Sequence, residues 1–190
     1  MCQQLHSSPL YGETEATPSS IDNTAKALIR AGVPKAKIGI GMGFYGQAYE
    51  NGVWQNGVFV HAASGPYVTA PHQSTDTAAI RFNDSDMSYS IIMHYYYEAA
   101  ALNWDSTAKA TYLSFNPPRE APFPDWADPP VRTSYLSYED ERSIAAKGVY
   151  VQSEGLGGII IWTITEGYLE WEMIGEKDPL MKATKAAFLP

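Results

Sequence analysis

The side chains in this sequence that could do chemistry are aromatics and carboxylates placed just after apolar runs. Trp162 ends the run Ile159-Ile160-Ile161 and is followed by Thr163, Thr165 and Glu166. Tyr45 and Gln47 end a second run, Lys37 to Tyr45, that alternates apolar residues with glycine. An indole or phenol beside hydroxyl, amide and carboxylate groups suits a sugar, whose flat C–H face stacks on a ring while its hydroxyls find polar partners. On spacing alone Trp162 is equally a core or rim aromatic. Glu166 is the candidate acid beside Trp162, with a solvated loop charge as the alternative. Glu139 and Asp140 are further candidates, with helix capping as theirs. His6, His61, His72 and His94 are scattered without metal-ligand spacing. No phosphate loop, dinucleotide glycine motif or nucleophile elbow is present. Neither a metal nor a cofactor is expected.

The elements that would hold these residues follow a helix, turn, strand rhythm. A helix starts at Ser19 or Ser20, where serine caps the first N–H groups and Asp22 complements the dipole. Ala25, Leu28 and Ile29 give it an apolar face, and Gly32 with Pro34 ends it. The strand Lys37–Tyr45 follows, with Ile38, Ile40, Met42 and Phe44 on one face and Gly39, Gly41 and Gly43 on the other. A second unit opens at Tyr138-Glu139-Asp140-Glu141, runs as a helix to about Glu154 on Ile144, Ala145, Gly148 and Val151, turns at Gly155, and enters the strand ending at Trp162. Three consecutive isoleucines predict a strand buried on both faces, as in a parallel sheet. Asp178 and Pro179 start a closing helix. In a β/α barrel the carboxyl ends of strands face the active site.

Between the two units residues 48–136 are irregular and aromatic-rich, too long for a plain loop. Strands are expected near Gly57–Val60 and Ala110–Phe115, and a helix over Met87–Leu102. Asn116-Pro117-Pro118 and Asp128-Pro129-Pro130 read as breaks. The stretch reads as an inserted module. Trp54, Trp104, Trp126 and Trp171 are possible sugar platforms, though each is as well explained by packing.

Composition narrows the function classes. The chain has 190 residues, 45% hydrophobic and 18% charged, as expected of one globular domain. A formal net charge of -8 argues against nucleic acid or an anionic membrane as a partner held by bulk charge. Thirteen tyrosines and five tryptophans fit a carbohydrate-handling surface, or an aromatic core. Cys2 is the one cysteine, so no intrachain disulfide forms. No apolar run approaches the roughly 20 residues of a membrane-spanning helix. The first residues, MCQQLHSSPL, have neither the basic nor the apolar region of a signal peptide.

Three segments in this order resemble the carboxyl-terminal part of a glycoside hydrolase family 18 chitinase catalytic domain. AGVPKAKIGIGMGFYGQAY (Ala31–Tyr49) is similar to the seventh barrel strand and its approach. SGPYVT (Ser64–Thr69) with MSYSIIMHYYYEAAALNWDSTAKATYLSF (Met87–Phe115) is similar to the chitinase insertion domain. YLSYEDERSIAAKGVYVQSEGLGGIIIWTITEGY (Tyr135–Tyr168) is similar to the seventh helix and eighth strand. The resemblance implies an α/β fold: part of a (β/α)8 barrel over residues 1–56 and 136–190, with an α+β insertion domain over 57–135. It implies chitin or another N-acetylglucosamine-containing oligosaccharide as partner. Trp162 would be the floor of the subsite holding the distorted sugar, followed by a cis bond to Thr163. Tyr45 would contact substrate, with Met42 and Gln47 in the same binding set. Gln47 stands where the family commonly has arginine. Asn83–Asp86 is a candidate groove wall.

The family's catalytic string DxxDxDxE occurs nowhere in these residues, nor does its Met-x-Tyr-Asp motif, so strands one to six of the barrel are not expected here. The family mechanism protonates the glycosidic oxygen with a glutamic acid while the sugar's N-acetyl group attacks the anomeric carbon. This leaves three readings: a chitinase-like chain that binds without turnover, a chitin- or peptidoglycan-directed glycosidase using Glu166, Glu139 or Asp140, and a lectin-like or structural homo-oligomer that covers the open strand edges.

Overall fold

In a computed structural model the chain is described over residues 2–3, 6–13, 19–55, 58–61, 77–82, 87–120 and 132–189. Ser64–Thr69, His72, Asn83–Asp86, Trp126 and Asp128–Pro130 lie outside the described residues.

Two strands carry the barrel-like part. β2 (Gly39–Gly43) and β9 (Gly158–Trp162) pair in parallel, with Gly39 opposite Gly158, Gly41 opposite Ile160 and Gly43 opposite Trp162. Helices cover one face of this pair. α1 (Ile21–Arg30) begins at Ser20, whose Oγ accepts from the Asn23 N–H. α3 (Glu141–Glu154) begins at Asp140, which forms a reciprocal capping box with Ser143. It ends at Gly155, where φ of +66° requires glycine. α4 (Pro179–Phe188) starts with proline in its first turn. Tyr150 Oη on α3 donates to Asp22 Oδ1 on α1 at 3.1 Å, tying the two helices together.

The core follows from the strand alternation. Ile38, Ile40, Met42 and Phe44 are all buried, and Ile159 and Ile161 pack into the same clusters with Ile144, Val151 and Leu180. Ile144, Gly148 and Val151 face inward on α3 as expected, while Ala145 faces out.

β9 departs from the expectation of burial on both faces. Ile160 is 66% exposed and Trp162 61% exposed. Their face of the pair is otherwise glycine, and a Cβ at Gly41 or Gly158 would meet nothing within 4 Å. Leu28 on α1 is likewise exposed. The isoleucine run matched a parallel strand correctly, but no described helix packs on its second face, and no described strand pairs with the outer edge of β2 or β9. Among the described residues no closed barrel forms.

The second layer is an antiparallel sheet, seven-stranded among the described residues. Its path is β1 (Cys2–Gln3), β5 (Thr77–Phe82), β3 (Gly46–Gln55), β8 (Arg132–Tyr138), β7 (Ala110–Glu120) and β6 (Ala101–Asp105), with β4 (Val58–His61) paired to the far end of β3. Apart from β1, its strands run from Gly46 to Tyr138, past both ends of the 57–135 segment. β7 runs through Asn116-Pro117-Pro118 instead of breaking there. The ladder with β8 skips from Ser114 to Arg119, as it must where two prolines offer no N–H.

The helix expected over Met87–Leu102 is shorter and composite. One turn, α2 (Tyr89–Ile91), widens to a π-helical segment over Ile92–Tyr96 and tightens to a 3-10 turn over Tyr97–Ala99. Ala101 and Leu102 instead start β6. Ile92 and Tyr96, four residues apart, are both buried in the core at 0% exposure, while Tyr95 and Tyr97 face out.

Candidate functional site

The parallel register of β2 and β9 places their carboxyl ends side by side. Gly43 and Trp162 are direct neighbours, and the Phe44 N–H donates to the Trp162 carbonyl at 2.9 Å. The chain then leaves β2 through Tyr45, which bridges to Ser88, and enters β3. It leaves β9 through a cis Trp162–Thr163 bond, as the resemblance implied, and a 3-10 turn over Ile164–Gly167. Glycine at 43 is needed for close approach: a Cβ there would lie 2.6 Å from Tyr45 Cζ. The bare strand end is the seat of the Tyr45 ring.

These strand ends open on a hollow of about 160 Å³. Trp162, Tyr45, Gly41, Met42 and Gly43 line it from the strands and the residues that leave them, and Ser7, Ser8 and Glu139 complete the lining. Met42 is fully buried, so it adds only its apolar edge. Gln47 and Glu166 do not line this hollow. Gln47 is on β3 and its Oε1 accepts from Tyr49 Oη at 2.7 Å. Glu166 is half-buried in the turn beyond Trp162. A larger hollow of about 290 Å³ lies between α1 and β2, lined by serines, Thr24 and aliphatic side chains. It contains no acid, base or aromatic group, so the chemistry-bearing residues belong to the smaller one.

Glu139 and Asp140, adjacent in sequence, do different work. Asp140 caps α3, as its alternative reading had it. Glu139 does not cap. It is 2% exposed just past the end of β8 and ion-paired to Lys147, two helical turns into α3, whose side chain is wholly buried. Ser143 Oγ donates to Glu139 Oε2 at 2.6 Å, and Lys147 Nζ also donates to Ser8 Oγ at 2.9 Å. Both Glu139 oxygens thus accept hydrogen bonds from the protein.

The wall opposite the strands is a segment without helix or strand, residues 6–13. Its anchor is His6, buried at 4% exposure, which no spacing to another histidine singles out in the sequence. Its Nε2 lies 3.1 Å from Asp105 Oδ2 on β6, and its Nδ1 lies 2.9 Å from Tyr135 Oη and 3.3 Å from Ser137 Oγ on β8. The Ser7 N–H donates to the same Ser137 Oγ at 3.1 Å, and the Leu10 N–H to the Ala108 carbonyl at 2.8 Å. Tyr135 packs with Tyr49 and Tyr112. Burial, then the nearby Tyr49, pushes its phenol well above the ordinary tyrosine value. No periodic pattern in the sequence marks His6, because its partners lie 99 to 131 residues away.

Among the described residues no three His, Cys, Asp or Glu side chains could hold a metal ion, and no helix is long and apolar enough to cross a membrane.

The model for glycosyl hydrolases family 18 matches residues 3–167. The chain belongs to that family. Among curated relatives, Chitinase A1 of Niallia circulans is 24% identical, covering 97% of this chain and 23% of its own length. Among solved structures, a family 18 N-acetylglucosaminidase from Paenibacillus barengoltzii superposes with a TM-score of 0.62 at 24% identity over 98% of this chain and 44% of that one. The human pseudo-chitinase YKL-39, described as retaining chitooligosaccharide binding, gives a TM-score of 0.62 at 17% identity over 97% of this chain and 45% of that one. The chain therefore spans about a quarter to a half of the length of these family 18 proteins. They share its α/β fold, here a partial barrel with no closed ring of strands.

Proposed function

We propose that this family 18 chain binds β-1,4-linked N-acetylglucosamine oligosaccharide, as in chitin, in the hollow between Tyr45 and Trp162, without hydrolysing it. The observation that carries this reading is that two aromatic strand ends border one opening, with glycine between them. Trp162 would supply the stacking floor, Tyr45 a wall and Met42 an apolar edge. Gln47, engaged with Tyr49, stands outside this set. The same reading keeps residues 57–135 as an insertion domain on a barrel part. The acidic net charge of -8 supports a neutral sugar over nucleic acid or an anionic membrane.

Binding without turnover is favoured by what the hollow offers. Its one carboxylate, Glu139, is committed to Lys147 and Ser143, and a glycosidase needs an acid within reach of the leaving oxygen. Titration with N-acetylglucosamine oligomers should change tryptophan fluorescence in the native chain and not in Trp162→Ala, and no reducing ends should be released. Robust hydrolysis would overturn the reading; its loss in Glu166→Gln would then assign the acid to Glu166.

One observation favours a second component to this function. The exposed Ile160 and Trp162 face, with the unpaired edges of β2 and β9, supports self-association into a homo-oligomer.

A further inference from the structure

Ser8 sits where the buried ion pair meets the hollow. It lines the hollow together with Trp162 and Tyr45. Among the described residues the one hydrogen-bond partner of its Oγ is Lys147 Nζ, at 2.9 Å. An ammonium has three donors and no acceptor, so this contact can run in one direction only: Lys147 donates and Ser8 accepts. Among the described residues the hydroxyl proton of Ser8 thereby has no protein acceptor, on a side chain that borders the opening. Lys147 cannot swing away, because it is wholly buried and held by Glu139. Nor can the backbone of Ser8 drift. His6 on one side is bound to Asp105, Tyr135 and Ser137. On the other, the Leu10 N–H is bound to Ala108, and the Pro9 and Leu10 carbonyls accept from Ile21 and Asp22 at the start of α1.

We propose that Ser8 is a ligand-binding residue: its hydroxyl, oriented as an acceptor toward Lys147, donates to an acceptor oxygen of a ligand seated against Trp162 and Tyr45. Lys147 and His6, which do not line the hollow, are then positioning residues that act through Ser8. The hydroxyl fits a neutral ligand rich in carbonyl, ether or hydroxyl oxygens. The proposal rests on the reading of the hollow as a sugar site and adds to it the polar wall that the two aromatic rings lack.

The test is titration of the native chain, Ser8→Ala and Ser8→Thr with N-acetylglucosamine oligomers by tryptophan fluorescence, with thermal unfolding of each measured in parallel. Ser8→Ala should weaken binding about three- to tenfold, the loss of one hydrogen bond. Ser8→Thr, which keeps the hydroxyl, should restore most of it, even though both variants melt within a few degrees of the native chain. Binding by the native chain that is unchanged in Ser8→Ala would overturn the role of Ser8 and leave the aromatic site standing. Equal weakening in Ser8→Thr and Ser8→Ala would assign the effect to packing of the segment and also overturn it. No binding by the native chain, with Trp162→Ala indistinguishable from it, would overturn the sugar site and this proposal together.

Discussion

The site's shape depends most closely on Gly43. Any side chain there would collide with the Tyr45 ring, which occupies the space above its Cα. Because Gly43 pairs directly with Trp162, displacing Tyr45 changes the spacing between the two aromatic walls without touching either. Gly43→Ala should therefore move the Tyr45 ring and weaken oligosaccharide binding at least tenfold. Its helical circular dichroism should stay native, since β2 and β9 keep their ladder. Oligosaccharide titration beside far-ultraviolet spectra checks this, and native-strength binding by the variant would show that Tyr45 is not a wall of the site.

At the scale of elements, the junction from β8 to α3 does most to hold the site. Tyr138 ends the strand, Glu139 turns inward, and Asp140 caps the helix. Lys147, two turns along α3, returns to Glu139 and reaches across to the 6–13 segment. A buried charge stripped of its partner is costly, about 3–5 kcal/mol. Lys147→Met should destabilise the fold by that amount in urea unfolding. The double variant Glu139→Gln/Lys147→Met should recover a large part of it, because no charge is then left buried. If the double variant is no more stable than the single one, the cost lies in lost contacts with Ser8 and the segment and not in the isolated carboxylate. The same junction explains why the 6–13 segment can form a wall with no regular structure of its own. It is fastened by side chains from two strands and a helix.

At the scale of the whole molecule, the described helices cover one side of the β2–β9 pair, and no described element covers Ile160 and Trp162 on the other. Burying an isoleucine fully contributes about 1.5–3 kcal/mol, and Ile160 forgoes most of this at 66% exposure. An open apolar face between two unpaired parallel edges is a surface for association. Light scattering of the native chain should give a mass above that of a monomer, and Ile160→Asp should shift it toward the monomer while leaving the helices folded. A monodisperse native monomer would remove self-association as the way this face is covered.

Much of this was legible in the sequence. The caps at Ser20 and Asp140, the αL glycine at 155, the alternation that buries Ile38 to Phe44, and the two aromatic strand ends all follow from neighbours a few residues away, where backbone geometry and side-chain periodicity act. Family membership followed from ordered motifs of the same local kind. Tertiary structure alone decided the rest. It exposed Ile160 because burial on a second face requires another element, which isoleucine spacing cannot supply. It turned Glu139 from a capping candidate into half of a buried ion pair because Lys147 lies under it in the fold. It brought Ser8 to the hollow and fixed His6 beside it through contacts with residues 99 to 139 positions away, a separation at which hydrogen-bond partners leave no pattern in the order of amino acids.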